Sequence, residues 1–299
     1  MWALAHVIHL VSATGSALDT PFNLAVVVAA FALLLRPASG RWLLLMLVAQ
    51  LVDMVVEMPF SPDHWMLMSF ANLAILVTLA VRRRTGAGAL EAAFPALRVV
   101  VLVAYASAAL AKWNWNFLDP VMSCAGAIAG AASLGATDGL GLDPVFVVVV
   151  LACETSIPVL LAIPRTRRHG VRLALAFHFT LSMSPAFAVV DFTSTLYALF
   201  LLFLPYDDVA GVLDRVRRWA GRSAVVRDAR RAPLVTAVVA FLGVGLLGWI
   251  APRGAAALVL VGAEIYLLGV LVSVLLGWRS SRGTRASAGS CGCRSRWCC

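Results

Sequence analysis

The stretch LRVVVLVAYASAALAKW, residues 97–113, decides the fold. Between Arg98 and Lys112 no side chain carries a charge, and Val, Leu and Ala fill most positions. About 20 apolar residues take a helix across the hydrocarbon core of a bilayer, with a range of about 17–25. The segment therefore predicts a transmembrane helix. Its ends differ in kind: Arg98 opens it, and Lys112, the only lysine in the chain, closes it beside Trp113 and Trp115.

The rest of the chain has the same character. Of 299 residues, 62% are hydrophobic and 13% charged, and the mean hydropathy is +0.91. Soluble domains have about 45–50% apolar and about 25% charged residues, so too little polar surface remains to cover a water-soluble globule. Further apolar segments lie at 21–36, 41–59, 65–81, 145–164, 171–188, 191–205, 233–250 and 255–278. The opening stretch MWALAHVIHLVSATGSA is too short and too broken by Gly and Ser for a confident span, and it lacks the positive n-region of a signal peptide. It stays open as an interfacial helix or part of a first span. The expected fold is all-α: a polytopic integral membrane helical bundle of about 8–9 transmembrane helices.

Loop charge gives an orientation. Arginines cluster at Arg36 and Arg41, at Arg82, Arg83, Arg84 and Arg98, and at Arg165, Arg167, Arg168 and Arg172. They cluster again through 206–232 and in the tail from Arg279 onward. These are alternate loops, so all fall on one side, the cytoplasmic one by the positive-inside bias. The intervening loops carry Glu57 and Asp63, then Asp119, Asp138 and Asp143, then Asp191. The net charge of +9 thus reports orientation, and without an aromatic-interleaved basic groove no nucleic-acid partner is expected. The lipid bilayer is the expected partner.

Four regions follow. Residues 1–206 form the main membrane region, with the first 20 or so partial or interfacial. Residues 207–232 form a basic cytoplasmic loop with apolar residues at helical spacing, an amphipathic helix on the inner leaflet. Residues 233–278 hold two C-terminal spans. Residues 279–299 are an Arg/Cys-rich cytoplasmic tail, whose Cys291, Cys293, Cys298 and Cys299 match zinc-knuckle spacing poorly. An unstructured tail and a lipidated one are the two readings. No metal site is expected.

Ionisable groups inside a membrane cost free energy and are functional candidates by default. Lys112 has two readings: a snorkelling side chain in an aromatic belt, or a functional amine. Burial among apolar groups disfavours the charged form, and a neutral amine can serve as a general base. His64 opens the span 65–81, which forms a hairpin with 97–113, so His64 and Lys112 come to nearly the same depth at the outer side. Asp53 and Glu57, four apart on one helix face, end near the same boundary. Glu154 and His178 lie well inside later spans, where each is either bonded within the bundle or part of a site. Glu264 has a structural look.

These residues carry a resemblance. YASAALAKWNWNFLDPVMSC, residues 105–124, is similar to a motif of the horizontally transferred transmembrane (HTTM) domain, the membrane region shared with vitamin K-dependent gamma-carboxylase. SPDHWMLMSFANLAILV resembles that family's outer-side histidine at a helix start. ACETSIPVLLAIPRTRRHGVRLALAFHFTLSM followed by FTSTLYALFLLFLP resembles its later block of helix-borne Glu, arginine-rich turn and Phe-His. The likeness covers roughly residues 5–206, in order. It implies Lys112 as a base toward vitamin K or menaquinone hydroquinone, with O2 and CO2 as co-reactants and His64 assisting. His178, Glu154, Asp53, Glu57, Trp113 and Asn114 would then be supporting residues, and a small exported peptide a partner, at an extracytoplasmic site. The sequence departs from the carboxylase at Ala111, where that enzyme has a second lysine, and its large peptide-holding domain has no counterpart in these residues. Two alternatives stand beside this reading: a non-catalytic HTTM protein serving secreted-peptide maturation, export or immunity, and a transporter with Glu154 and His178 along its path.

Overall fold

A computed structural model describes residues 1–12, 20–36, 39–59, 63–82, 87–133, 135–183, 189–222 and 261–276. The described residues are all-helical, with no strand among them. In chain order the helices are α1 (Trp2–Ser12), α2 (Pro21–Leu35), α3 (Gly40–Glu57), α4 (Asp63–Arg82), α5 (Ala87–Lys112) and α6 (Trp115–Leu118). They continue as α7 (Cys124–Ala132), α8 (Asp143–Ala162), α9 (Arg167–Ser182), α10 (Val190–Phe200), α11 (Tyr206–Gly221) and α12 (Val261–Leu276). The expected span at 233–250, the tail at 279–299, and residues 223–232 of the basic loop lie outside the described residues.

Local chemistry sets several boundaries. Thr20 caps α2, its hydroxyl accepting from the Asn23 amide at 3.0 Å, and Pro21 fills the first turn, where a missing N–H costs nothing. α5 begins ten residues before the expected 97, because Pro95 does not stop it. Proline removes one backbone donor and kinks a helix more often than it ends one inside a packed bundle.

α10 occupies the middle. All its residues except Phe192 and Ala198 are buried, and α1, α4, α5 and α9 pack against it. The short N-terminal helix α1 is part of this core: Ala5, Ile8 and Leu10 are buried, and α1 lies against α2 and α10. Its length and its Ser/Gly surroundings gave no sign of that, since tertiary contact rather than span length holds it in place.

Polarity is inverted relative to a water-soluble domain. Asn23, Gln50, Asp53, Asn72 and Thr193 are fully or almost fully buried, while Val55, Val99, Val103, Leu110 and Val148 are exposed. Apolar outer faces suit lipid, and inward polar groups must satisfy one another there. Thr193 donates to the His178 carbonyl at 3.2 Å, and Gln50, Asp53 and Asn72 share one connected network. Asn72 accepts from Trp2 Nε1 at 2.8 Å, lies 3.1 Å from His6 Nε2 and donates to Gln50 at 2.9 Å. Gln50 in turn donates to Ser69 at 2.7 Å, and Asp53 accepts from Thr20 at 2.6 Å and Trp65 at 3.1 Å.

Among the described residues, three helical segments are long and apolar enough to cross a membrane: Trp65–Arg82, Leu90–Lys112 and Asp143–Ala162. α2, α10 with the single 3-10 turn that follows it, and α12 are apolar but shorter. α3 has the length, but Arg41, Asp53 and Glu57 all fall within it. At 15 residues and a rise of about 1.5 Å each, α2 extends only about 22 Å. α11 covers the first part of the basic loop. It is tied to the bundle by the Arg168–Asp208 ion pair at 2.7 Å and by Arg215 donating to the Ser273 carbonyl of α12 at 2.9 Å.

Candidate functional site

α5 supplies one wall of the site. Tyr105 and Lys112 are seven residues apart, two helical turns, and so share a face. α5 packs against α4 on one side and α8 on the other. That geometry brings the ammonium of Lys112 within 2.6 Å of Glu154 Oε2, a carboxylate in the middle of α8. The pair is largely shielded, with the Lys112 side chain 29% exposed and that of Glu154 13%. The Phe117 ring lies 5.9 Å from Lys112 Nζ, within cation–π range.

α9 supplies His178. Its ring is buried, hydrogen-bonded through Nε2 to the Tyr105 hydroxyl and packed edge-on against Phe177 and Phe192. Nδ1 of the same ring has no partner among the described residues. In a neutral imidazole one nitrogen donates and the other accepts, so this free nitrogen takes whichever role the Tyr105 proton leaves to it. From α10 comes Asp191, whose carboxylate meets His9 Nδ1 at 3.2 Å. The His9 ring stacks on Trp65 at 4.2 Å between centroids.

Tyr105, Lys112, Glu154, His178 and Asp191 all line one cavity of about 1140 Å³. The remainder of its wall comes mainly from exposed apolar side chains of α4 and α5, among them Phe70, Leu73, Val77, Val99 and Val103, so the cavity opens along the apolar outer face of these helices. The cavity is therefore amphipathic: a cluster of acid, base and hydrogen-bonding groups beside a long apolar wall. Such a shape accommodates a molecule with a polar head and a hydrocarbon tail.

The sequence-derived residues divide accordingly. Lys112, Glu154 and His178 converge. His64 is the second residue of α4, and its side chain lies outside the described residues. Asp53 is buried and engaged by Thr20 and Trp65 in the polar network, and Glu57 ends α3; neither lines the cavity. Trp113 ties the end of α5 to α8 by donating to Thr155 at 3.2 Å, one residue from Glu154. Asn114 caps α6, accepting from the Phe117 amide at 3.0 Å. Both thus set the backbone around Lys112 without lining the cavity. Glu264 accepts from Ser182 at 3.1 Å, a tie between α12 and α9.

Sequence reasoning missed Tyr105, His6 and His9. The signals were present: a tyrosine two turns before the lysine, and two histidines at i, i+3 in an apolar helix. Among the described residues no group of three His, Cys, Asp or Glu side chains is arranged to hold a metal ion. No family model, curated protein or solved structure matches this chain.

Proposed function

We propose that the chain is a polytopic membrane enzyme of the HTTM type, with eight or nine spans and an extracytoplasmic site that acts on an amphiphilic lipid of the quinol class. The observation that carries this reading is the Lys112–Glu154 pair, 2.6 Å apart, at the polar part of an otherwise apolar cavity. The residues present fit such a group: the apolar wall of α4 and α5 would take a prenyl tail, and the free Nδ1 of buried His178 would take a hydrogen bond from or to its head. When bound, a hydroquinone with oxygen supplies redox chemistry that side chains lack.

The protein's share is proton handling. As ammonium and carboxylate the pair is neutral and still has room for one proton, on the carboxylate. Taking a proton from a bound hydroxyl gives ammonium plus carboxylic acid, and the net charge of the pair becomes positive. That charge stabilises the anion left on the head group. Lys112 and Glu154 thus act as one base, which amends the single-residue role implied by the resemblance. Tyr105 and His178 orient the head group, and the apolar wall excludes water.

The same ion pair favours a second, non-catalytic reading, since it also ties α5 to α8. Quinol consumption by the reconstituted full chain separates the two. Wild type is expected to oxidise menaquinol in an oxygen-dependent reaction, and Lys112→Ala or Glu154→Gln to lower the rate at least about a hundredfold. Replacing the pair by Lys112→Met/Glu154→Leu should keep the fold but not the activity. Turnover in that folded double variant equal to wild type, or none in wild type, would leave the pair as a structural tie.

A further inference from the structure

A second cavity, of about 440 Å³, lies beside the middle of α5. Arg98 lines it, fourteen residues before Lys112 and so about 21 Å away along the axis. The other charged walls are Arg165 from the α8–α9 turn and Arg167 and Arg168 from the start of α9, with Pro164 and Leu204 between them.

Two of these guanidinium groups are built in. Arg98 Nε donates to the Leu202 carbonyl at 2.8 Å, and Arg167 Nε donates to the Leu161 carbonyl at 3.0 Å. Each bond fixes a planar fork through its Nε and leaves the terminal nitrogens as further donors. The turn itself is held by Thr166, whose hydroxyl bonds the Leu160 carbonyl at 2.9 Å. Arg168 has a carboxylate partner, Asp208 at 2.7 Å. Arg98, Arg165 and Arg167 have none among the described residues, and Arg98 and Arg167 are close enough to repel each other. Of the four guanidinium groups around this small cavity, three thus have no carboxylate partner among the described residues, which leaves an excess of positive charge there. Fixed forks with spare donors match the oxygens of phosphate in bidentate fashion.

We propose that this pocket binds a phosphate-bearing anion, the headgroup phosphodiester of an anionic phospholipid. The apolar surroundings favour the lipid over free phosphate: Ile163, beside the pocket residue Pro164, is 46% exposed, as an acyl-chain neighbour would be. Basic pockets between membrane helices bind such headgroups by the same chemistry.

Native mass spectrometry and thermal unfolding of the full chain in non-ionic detergent test this, with phosphatidylglycerol, phosphatidylcholine and inorganic phosphate as probes. Phosphatidylglycerol is expected to bind and to raise the unfolding temperature, and phosphatidylcholine to do neither. Arg165→Gln, at an exposed position that makes no structural bond among the described residues, should weaken phosphatidylglycerol binding about fivefold without lowering the unfolding temperature of the lipid-free protein. Arg165→Lys should retain most of the binding, and Arg41→Gln, exposed at the start of α3, all of it. Inorganic phosphate that stabilises as well as the lipid would assign the pocket to a soluble anion and overturn the lipid. Equal binding of the two lipids, or no loss in Arg165→Gln, overturns the site.

Discussion

Lys112 and Glu154 were each visible in the sequence as a charge in an apolar segment, where a lone ionised group is costly. Their pairing was not visible, because forty-two residues and two short helices separate them along the chain. Depth in the hairpin set His64 beside Lys112, and the His64 side chain lies outside the described residues; among those described, Glu154 meets Lys112, delivered by the packing of α5 on α8. Removing one member of a shielded pair strands the other, whereas replacing both by apolar groups strands neither. Glu154→Leu alone is therefore expected to destabilise by about 1–2 kcal/mol, the partial exposure of Lys112 keeping the cost below that of a fully buried pair. Lys112→Met added to it should recover most of the loss in thermal unfolding. Simple addition of the two single effects would show that the pair is not coupled.

Among elements, the α8–α9 corner sets both cavities, since Glu154 precedes it and the arginines sit on it. Gly170 makes the corner tight. A Cβ there would meet the Leu160 Cβ and the Leu161 backbone nitrogen at 3.0 Å. Backbone cannot yield as a flexible side chain can, so Gly170→Ala is expected to destabilise by about 1–3 kcal/mol. The same substitution should loosen the Arg167–Leu161 bond at that turn, and unchanged thermal stability would contradict the close approach. α1 gives the opposite lesson about legibility. Its eleven residues fall short of a span, and hydropathy left it open; buried His6 and His9 and the Trp2–Asn72 bond show that it belongs to the core. Long apolar helices could be placed by counting, but short ones only by what they touch.

For the whole molecule, the single lysine makes orientation testable. Apart from the N-terminus it is the one amine in the chain. In sealed vesicles, a membrane-impermeant amine reagent should modify Lys112 from the extracytoplasmic face, slowly because Glu154 and the cavity wall shield it. Modification from the cytoplasmic face alone would reverse the orientation and remove the proposed site from that side. Composition and the alternation of loop charge determined the all-helical, membrane-fitted character of the chain, because hydrocarbon admits only long apolar stretches and charge stays in the loops. The sequence also marked Lys112, Glu154 and His178 as costly residues in apolar surroundings. Only the tertiary structure decided which of them meet, that Asp53 belongs to a separate buried network, and that the arginines of α5 and the α8–α9 turn enclose a cavity of their own. Polarity along a chain is a local property, whereas proximity depends on which helix faces pack together, and that is fixed by all the contacts of the bundle at once.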